Sequence, residues 1–462
     1  MPYSGSFLFP GQFGSTRCTK MESLMRRQDR IALGFMTFAL FLGAGNVIYP
    51  PMLGQQAGYE LAFAAIGFLL TAVGLPLVTL VSMAHAGGPQ GMTRLLPKRW
   101  STLFWTALFI VIGPAFAIPR TAVVAYELGA VSFLSDPQNW HLALYTLGFF
   151  AIALALAFNP GSLVGTIGKY MTPALLLLLA IIGIGVMVNP QDIIQAPVST
   201  YASTPFPEGL IQGYMTMDCL GALGFGAVIG QAIRQLGITN PKEIAKCTIQ
   251  AGLIAAAGLG LVYVMLMYLG ATSTSIASGA ENGGKILALY VSALFGLPGK
   301  IALTGVITLA CLTTAIGVST ACADYFSELS GNKIGYKKML VVIMSLSALV
   351  ANIGLTQLIS ISVPVIVAIY PLAIALVVMN LLRNKMPTAS RIFTLTIPVV
   401  SIFALIDGLN AASLLPETIK LQMEQWLPLF DQGLGWIAPF AIALGLSWLT
   451  SLKGQVGLVK GV

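Results

Sequence analysis

At 462 residues, with 56% hydrophobic and 9% charged side chains and a mean hydropathy of +0.86, the chain is too apolar for a water-soluble fold and reads as a polytopic membrane protein. Its net charge of +8 is carried by Lys and Arg in short loops between apolar runs, not by a basic patch interleaved with aromatics, which excludes a nucleic-acid partner. Five cysteines without a CxxC pair, four of them in or beside apolar runs, exclude a disulfide framework and a zinc site.

In chain order, residues 1–27 are polar and Gly/Ser-rich and lack the apolar core and cleavage site of a secretory signal. A disordered cytoplasmic tail is expected there, with Met21 and Met25 as alternative starts. Apolar runs bounded by charge, Pro/Gly or Asn then predict twelve spans, near 31–56, 61–84, 101–133, 141–158, 170–188, 209–233, 247–271, 300–325, 337–352, 358–382, 391–411 and 433–452. The third is overlong and is expected to bend at Pro114 and Pro119. Residues 453–462 read as a second cytoplasmic tail. With this count, twenty of the 24 Lys and Arg fall on the side of the N-terminus, only Lys285, Lys300 and Lys420 fall on the other, and Arg120 lies inside a span. That asymmetry predicts both termini in the cytoplasm.

The first span holds Leu40-Phe41-Leu42-Gly43-Ala44-Gly45-Asn46-Val47-Ile48-Tyr49-Pro50-Pro51, a cluster of helix breakers at membrane depth. In hydrocarbon such a break is tolerated only where the freed backbone groups are buried in protein or line a cavity, so residues 43–46 are a candidate ligand site. As mere packing residues, Gly43 and Gly45 would instead admit a neighbouring helix. The sixth span carries Gly213-Tyr214-Met215-Thr216-Met217-Asp218-Cys219-Leu220-Gly221-Ala222-Leu223-Gly224-Phe225-Gly226, with four glycines and an acid near its centre. First and sixth are matching positions in a five-plus-five inverted repeat, with the first half over about 31–188 and the second over about 209–382. Two extra helices, over about 391–452, fall outside it. The eighth span contains Ala310-Cys311-Leu312-Thr313-Thr314, whose hydroxyls and carbonyls suit an alkali cation, or else bond back to carbonyls of their own helix.

These runs resemble known proteins. The segment Phe41 to Pro51 is similar to the first-helix break of leucine-transporter-fold symporters of the amino acid-polyamine-organocation superfamily, and Ala310 to Thr314 to that fold's eighth-helix sodium motif. Together with Gly34 to Leu40, Gly113 to Ala122, Gly213 to Asp218 and Ser362-Val363-Pro364, they resemble the bacterial branched-chain amino acid carrier family over residues 28–450. The resemblance implies a secondary transporter of the cytoplasmic membrane that imports leucine, isoleucine or valine with sodium as the co-transported ion. It implies no cofactor, no obligate protein partner and no catalysis. It also implies that amides of Ala44 and Gly45, with access given by Gly43, hold the substrate carboxylate, where a half-helix N-terminus favours an anion. Sodium would be held by carbonyls of Ala39, Leu42 and Ala310 and hydroxyls of Thr313 and Thr314, with Asn46 a ligand of a second ion. The ammonium would meet unwound carbonyls near Gly221, Ala222, Leu223 and Gly224, and Ile112, Phe116 and Phe225 would line an apolar pocket. Movement would be the rocking of spans one, two, six and seven against three, four, eight and nine.

A carboxylate at membrane depth pairs, titrates or binds a cation. Asp218 is therefore singled out, with Arg120 as the obvious partner for it or for Glu127, while Asp324 and Asp407 are expected to be solvated near the interfaces. The alternative to sodium coupling is a proton-coupled symporter, or an exchanger of neutral amino acids, with Asp218 or Glu127 titrating. A pore, a sensor and a membrane enzyme are disfavoured, because no appended soluble domain, nucleophile/base pair or nucleotide loop appears.

Overall fold

The computed structural model describes residues 27–134, 136–158, 164–386 and 388–459. Apart from Arg27, the expected N-terminal tail lies outside the described residues, as do residues 460–462. The first span is interrupted. Helix α1 (Arg27–Phe41) ends where the Leu42 N–H still reaches the Phe38 carbonyl at 2.9 Å, Gly43 adopts extended backbone, and α2 (Ala44–Ala57) begins directly after it. The Asn46 side chain caps this start by accepting from the Gly43 N–H at 3.0 Å. Pro50 and Pro51 lie inside α2 and do not end it.

A 3-10 turn at Gly58–Glu60 leads into α3 (Leu61–Leu69), continuous through one π turn with α4 (Leu75–Ala86) and followed by the short α5 (Pro89–Met92). The third span comprises α6 (Lys98–Ile110) and α7 (Ala117–Leu128), joined by a π turn over Val111–Ala115 in which Gly113 leaves the helical region. The bend expected at two prolines is therefore made at Pro114 alone. Pro119 sits in the first turn of α7, where a missing N–H costs little. Helices α8 (Asn139–Ala157) and α9 (Thr172–Val188) follow.

The sixth span is interrupted as well, into α10 (Pro205–Met215) and α11 (Asp218–Gln235). There follow α12 (Pro241–Ala271), the single turn α13 (Thr274–Ala277), and α14 (Gly283–Leu329), which is kinked at Gly296 with φ +59°. The chain ends with α15 (Tyr336–Ala351), α16 (Leu355–Leu382), α17 (Ala389–Ala411), the exposed α18 (Glu417–Trp426) and α19 (Ile437–Val459). Among the described residues nine helical stretches are long and apolar enough to cross a membrane, and Ile437–Ser451 is a shorter apolar one. The interruption within the first span leaves α1 only 15 residues long, and α2 runs through its corner into α4 as a single stretch.

Two packing groups emerge. Helix α12 packs along α1, α2 and α4, and α3–α4 pack on α10 and α11, whereas α7, α8, α14 and α15 pack on one another. Helix α14 bridges the groups through α1, α2 and α11. Between α2 and α12 the backbones touch: a Cβ on Gly54 would overlap the Met267 carbonyl, and one on Gly270 would overlap that of Pro51. Asp407 is buried, contrary to the solvated position expected for it, because the loop before α19 folds over α17 and offers it the Trp436 N–H at 3.1 Å. The outer surface is apolar, with Leu177, Leu261, Leu349 and Leu405 exposed, as suits lipid contact.

Gly260 lies on the same helix as Gly270 but has nothing within 4 Å of an added Cβ. Gly270→Ala is therefore expected to lower the detergent melting temperature by the equivalent of about 1–3 kcal/mol of overpacking, while Gly260→Ala leaves it unchanged or raises it by up to about 1 kcal/mol through helix propensity. Paired thermal melts followed by size-exclusion chromatography check this, and equal behaviour would remove the backbone contact as the cause.

Candidate functional site

The two interruptions meet in space. An added Cβ on Gly45 would lie 3.1 Å from the Thr216 Cα, so the first turn of α2 rests directly on the unwound residues between α10 and α11. Those residues are Thr216 and Met217. The Thr216 hydroxyl donates to the Gly213 carbonyl at 2.8 Å, and Met217 takes a left-handed φ of +67°. The expectation of unwound carbonyls at Gly221 to Gly224 is corrected: the Gly221 N–H donates to the Met217 carbonyl at 2.8 Å, and all four residues lie within α11. Their small size serves packing. A Cβ on Gly224 would meet Ile112, Phe109 and Ala321 at 3.1, 3.5 and 3.8 Å.

At the junction lies a cavity of about 30 Å³. Gly43, Ala44, Gly45, Asn46, Arg120, Thr216 and Asp218 form its polar part, and Phe41, Ile112, Met217, Phe225 and Val318 its apolar part. Phe41 and Phe225 meet edge to face with centroids 5.2 Å apart, making a firm wall. Of the apolar residues expected, Ile112 and Phe225 are in place and Phe116 is not; Gly221 lines the cavity, while Ala222, Leu223 and Gly224 do not. Thr121, Met217 and Val318 carried no signal in the sequence, since a single residue of each type in an apolar span looks like any other.

The charged groups are arranged differently from a simple Asp218–Arg120 pair. Asp218 Oδ2 accepts from Asn46 Nδ2 at 2.7 Å and from the Tyr263 hydroxyl at 2.9 Å, and Asn46 Nδ2 also donates to Tyr263. Asn46 is thereby fully engaged, its oxygen on Gly43 and its nitrogen on Asp218. Tyr263, 45 residues from Asp218 and on α12, was invisible to sequence reasoning because only the fold brings it there. Arg120, at the start of α7, donates from Nη1 to the Met215 carbonyl at 3.2 Å and to the Tyr49 hydroxyl at 3.4 Å, and its guanidinium lies 5.8 Å from the Tyr49 ring centroid. Glu127 is not its partner: it stands near the other end of α7, half-buried beside the Leu355 backbone amide and Glu281.

The hydroxyl patch on α14 lies across the end of α1. Thr313 Oγ1 is 2.8 Å from the Ala39 carbonyl and 2.9 Å from that of Ala310, and the Thr314 hydroxyl donates to the Leu40 carbonyl at 3.0 Å. Five oxygen atoms thus converge between two elements, with Leu42 buried at the adjoining break. Among the described residues no group of three or more His, Cys, Asp or Glu is placed to hold a metal ion. A larger cavity of about 740 Å³ lies between the 87–98 segment, α6 and the end of α14, lined by Gln90, Arg94, Lys98, Phe109, Ala321, Asp324 and Glu328. Since Ile112 lines the smaller cavity and Phe109 and Ala321 the larger, the Gly224 contact stands between the two.

Comparison with known proteins gives a consistent result. The family model described as branched-chain amino acid transport protein matches residues 26–453. The branched-chain amino acid transport system 2 carrier protein of Pseudomonas aeruginosa is 48% identical over 423 residues, which is 91% of this chain and 95% of that protein. The branched-chain amino acid permease BrnQ of Escherichia coli is 40% identical over 439 residues, 94% and 99% of the two chains. Among solved structures, Mhp1, a nucleobase-cation-symport-1 family transporter, superposes with a TM-score of 0.56 at 13% identity, covering 92% of this chain and 93% of its own. MhsT in complex with L-phenylalanine gives 0.52 at 13% identity, covering 91% and 98%, and both share the fold. The chain therefore belongs to the branched-chain amino acid transport protein family, whose named members are carriers and permeases rather than enzymes.

Proposed function

We propose that this protein imports leucine, isoleucine and valine across the bacterial cytoplasmic membrane by symport with sodium. The observation that carries the reading is the junction of the two interruptions, where a polar rim and a rigid apolar wall share one cavity at the centre of the fold. The division by polarity matches a small amino acid with a charged head and a branched aliphatic tail; at about 30 Å³ the cavity is smaller than that molecule, and binding requires its walls to part. The names of the relatives support the substrate class. In this reading Ala44 and Gly45 amides, at the positive end of α2, hold the carboxylate, and Ile112, Phe225 and Val318 receive the side chain.

Sodium would occupy the oxygen cluster of Ala39, Leu40, Ala310, Thr313 and Thr314, with the Leu42 carbonyl, at the adjoining break, as the further ligand that the resemblance implies. The hydroxyls now donate to carbonyls, and a cation would be bound when they rotate to present lone pairs. Because the cluster joins α1 to α14, an ion there adds a contact between the two packing groups and favours one of their arrangements by its differential affinity. Asn46 is left out as an ion ligand, since both ends of its amide are committed. Twelve spans in a five-plus-five inverted repeat plus two, with both termini inside, complete the reading. The larger cavity then opens to the cytoplasm, on the side of Arg94 and Lys98.

Counterflow of radiolabelled leucine in proteoliposomes is the test. Uptake is expected to require sodium, to be competed by isoleucine and valine, and to collapse when choline replaces sodium at fixed pH; undiminished uptake in choline would favour the proton-coupled alternative with Asp218 as the titrating group. Thr313→Ala is expected to raise the sodium concentration for half-maximal uptake by about tenfold, the worth of roughly one ion-directed oxygen, with the leucine dependence at saturating sodium little changed. An unaltered sodium dependence would remove Thr313 from the ion site.

A further inference from the structure

We infer that Arg120 binds the substrate carboxylate directly, as a second anchor beside the α2 amides; the inference rests on the amino acid transport reading and assigns the head-group end of that site. Arg120 is 4% exposed, yet none of its hydrogen-bond partners is an anion. Nη1 is spread over a neutral hydroxyl and a carbonyl at long range, and Nε has no partner at all. A buried guanidinium with no anion in hydrogen-bond contact is costly, and five donors in a planar fork are suited to a carboxylate.

The position of the side chain says where the anion goes. Nη2 lies 2.8 Å from the point where a Cβ on Gly45 would stand, so the guanidinium lies against the first turn of α2. That turn presents the uncommitted amides of Ala44 and Gly45, whose partial positive charge points the same way. Two separate sources of positive potential therefore converge on one wall of the cavity, and Gly45 is glycine because any side chain would push them apart. Asp218 does not neutralise them at contact distance, because its carboxylate accepts from Asn46 and Tyr263 instead. It faces the same cavity and supplies the opposite sign for the substrate ammonium. One cation and one anion across a small pocket match the zwitterion that the proposed substrate carries.

The experiment compares leucine with leucinamide, which keeps the ammonium and side chain but has no carboxylate, as competitors of radiolabelled leucine bound to purified protein. Wild type is tested first with valine and isoleucine as well: failure of these to compete would refute the transport reading, not the role of Arg120. In wild type, leucinamide is expected to bind at least about 100-fold more weakly than leucine, and Arg120→Met is expected to lose about 10- to 100-fold in leucine affinity while leaving leucinamide nearly unchanged, so that the ratio collapses. Arg120→Lys keeps the buried charge and with it the fold, and is expected to give an intermediate ratio, because an ammonium cannot reproduce the bidentate geometry. A ratio that stays at the wild-type value in the folded variants, with both ligands weakened alike, would make Arg120 a structural cation and overturn the proposal.

Discussion

Backbone groups released inside a bilayer have no water to turn to, and this fold releases them at Leu42–Gly43 and at Thr216–Met217. Side chains answer them. Asn46 accepts from the Gly43 amide, Thr313 and Thr314 donate to the Ala39 and Leu40 carbonyls, Thr216 donates to the Gly213 carbonyl, and Arg120 donates to that of Met215. These are the same residues that a ligand or an ion would have to engage. In the proposed reading the site and the repair of the backbone are therefore one structure, and a substrate or cation bound there would exchange partners within an existing network.

That exchange explains why the polar groups are asymmetric. Asp218 is held by Asn46 and Tyr263, so its charge is distributed over two donors from α2 and α12 before any ligand arrives. Arg120 is held by a hydroxyl and a carbonyl only. The apolar part of the cavity is set by packing that does not depend on either charge: Phe41 on Phe225, and Ile112 close to Gly224. One methylene in an apolar pocket is worth only about 1–3 kcal/mol, so packing of this kind would discriminate weakly among branched aliphatic side chains.

Much of this was legible in the residues. The interruption in the first span showed itself because Gly43, Gly45 and Asn46 occur together in an apolar run, and the pairing of Thr313 and Thr314 with the end of α1 followed from the resemblance to sodium-coupled symporters. The residues point to the second interruption about five positions too late, at Gly221 instead of Thr216. Gly221, Gly224 and Gly226 read as breakers, whereas the actual turn is made by Met217, a residue whose type gives no sign of a left-handed backbone. Glycine spacing reports both unwinding and close packing, and only the neighbours decide which. Tyr263 and the burial of Asp407 were out of reach for a different reason: one is brought to Asp218 by α12, the other is covered by the turn at Trp436, and neither contact leaves a mark in local sequence.

Helix α12 runs beside both halves of the first span, packing on α1 and on α2, and its seam with α2 is made of carbonyls resting on glycine. It acts as a splint across a fracture. A splinted fracture makes a poor elbow, and the gap at Leu42–Gly43 serves as an aperture at which Gly43, Ala44 and Gly45 line the cavity while α1 and α2 are both tied to one long helix. Helix α14 is no looser a neighbour: a Cβ on its Gly283 would overlap the Ile48 carbonyl of α2, so carbonyl-on-glycine contact recurs on that side as well. The break is thus framed on two sides, with α12 and α14 each resting backbone to backbone on α2.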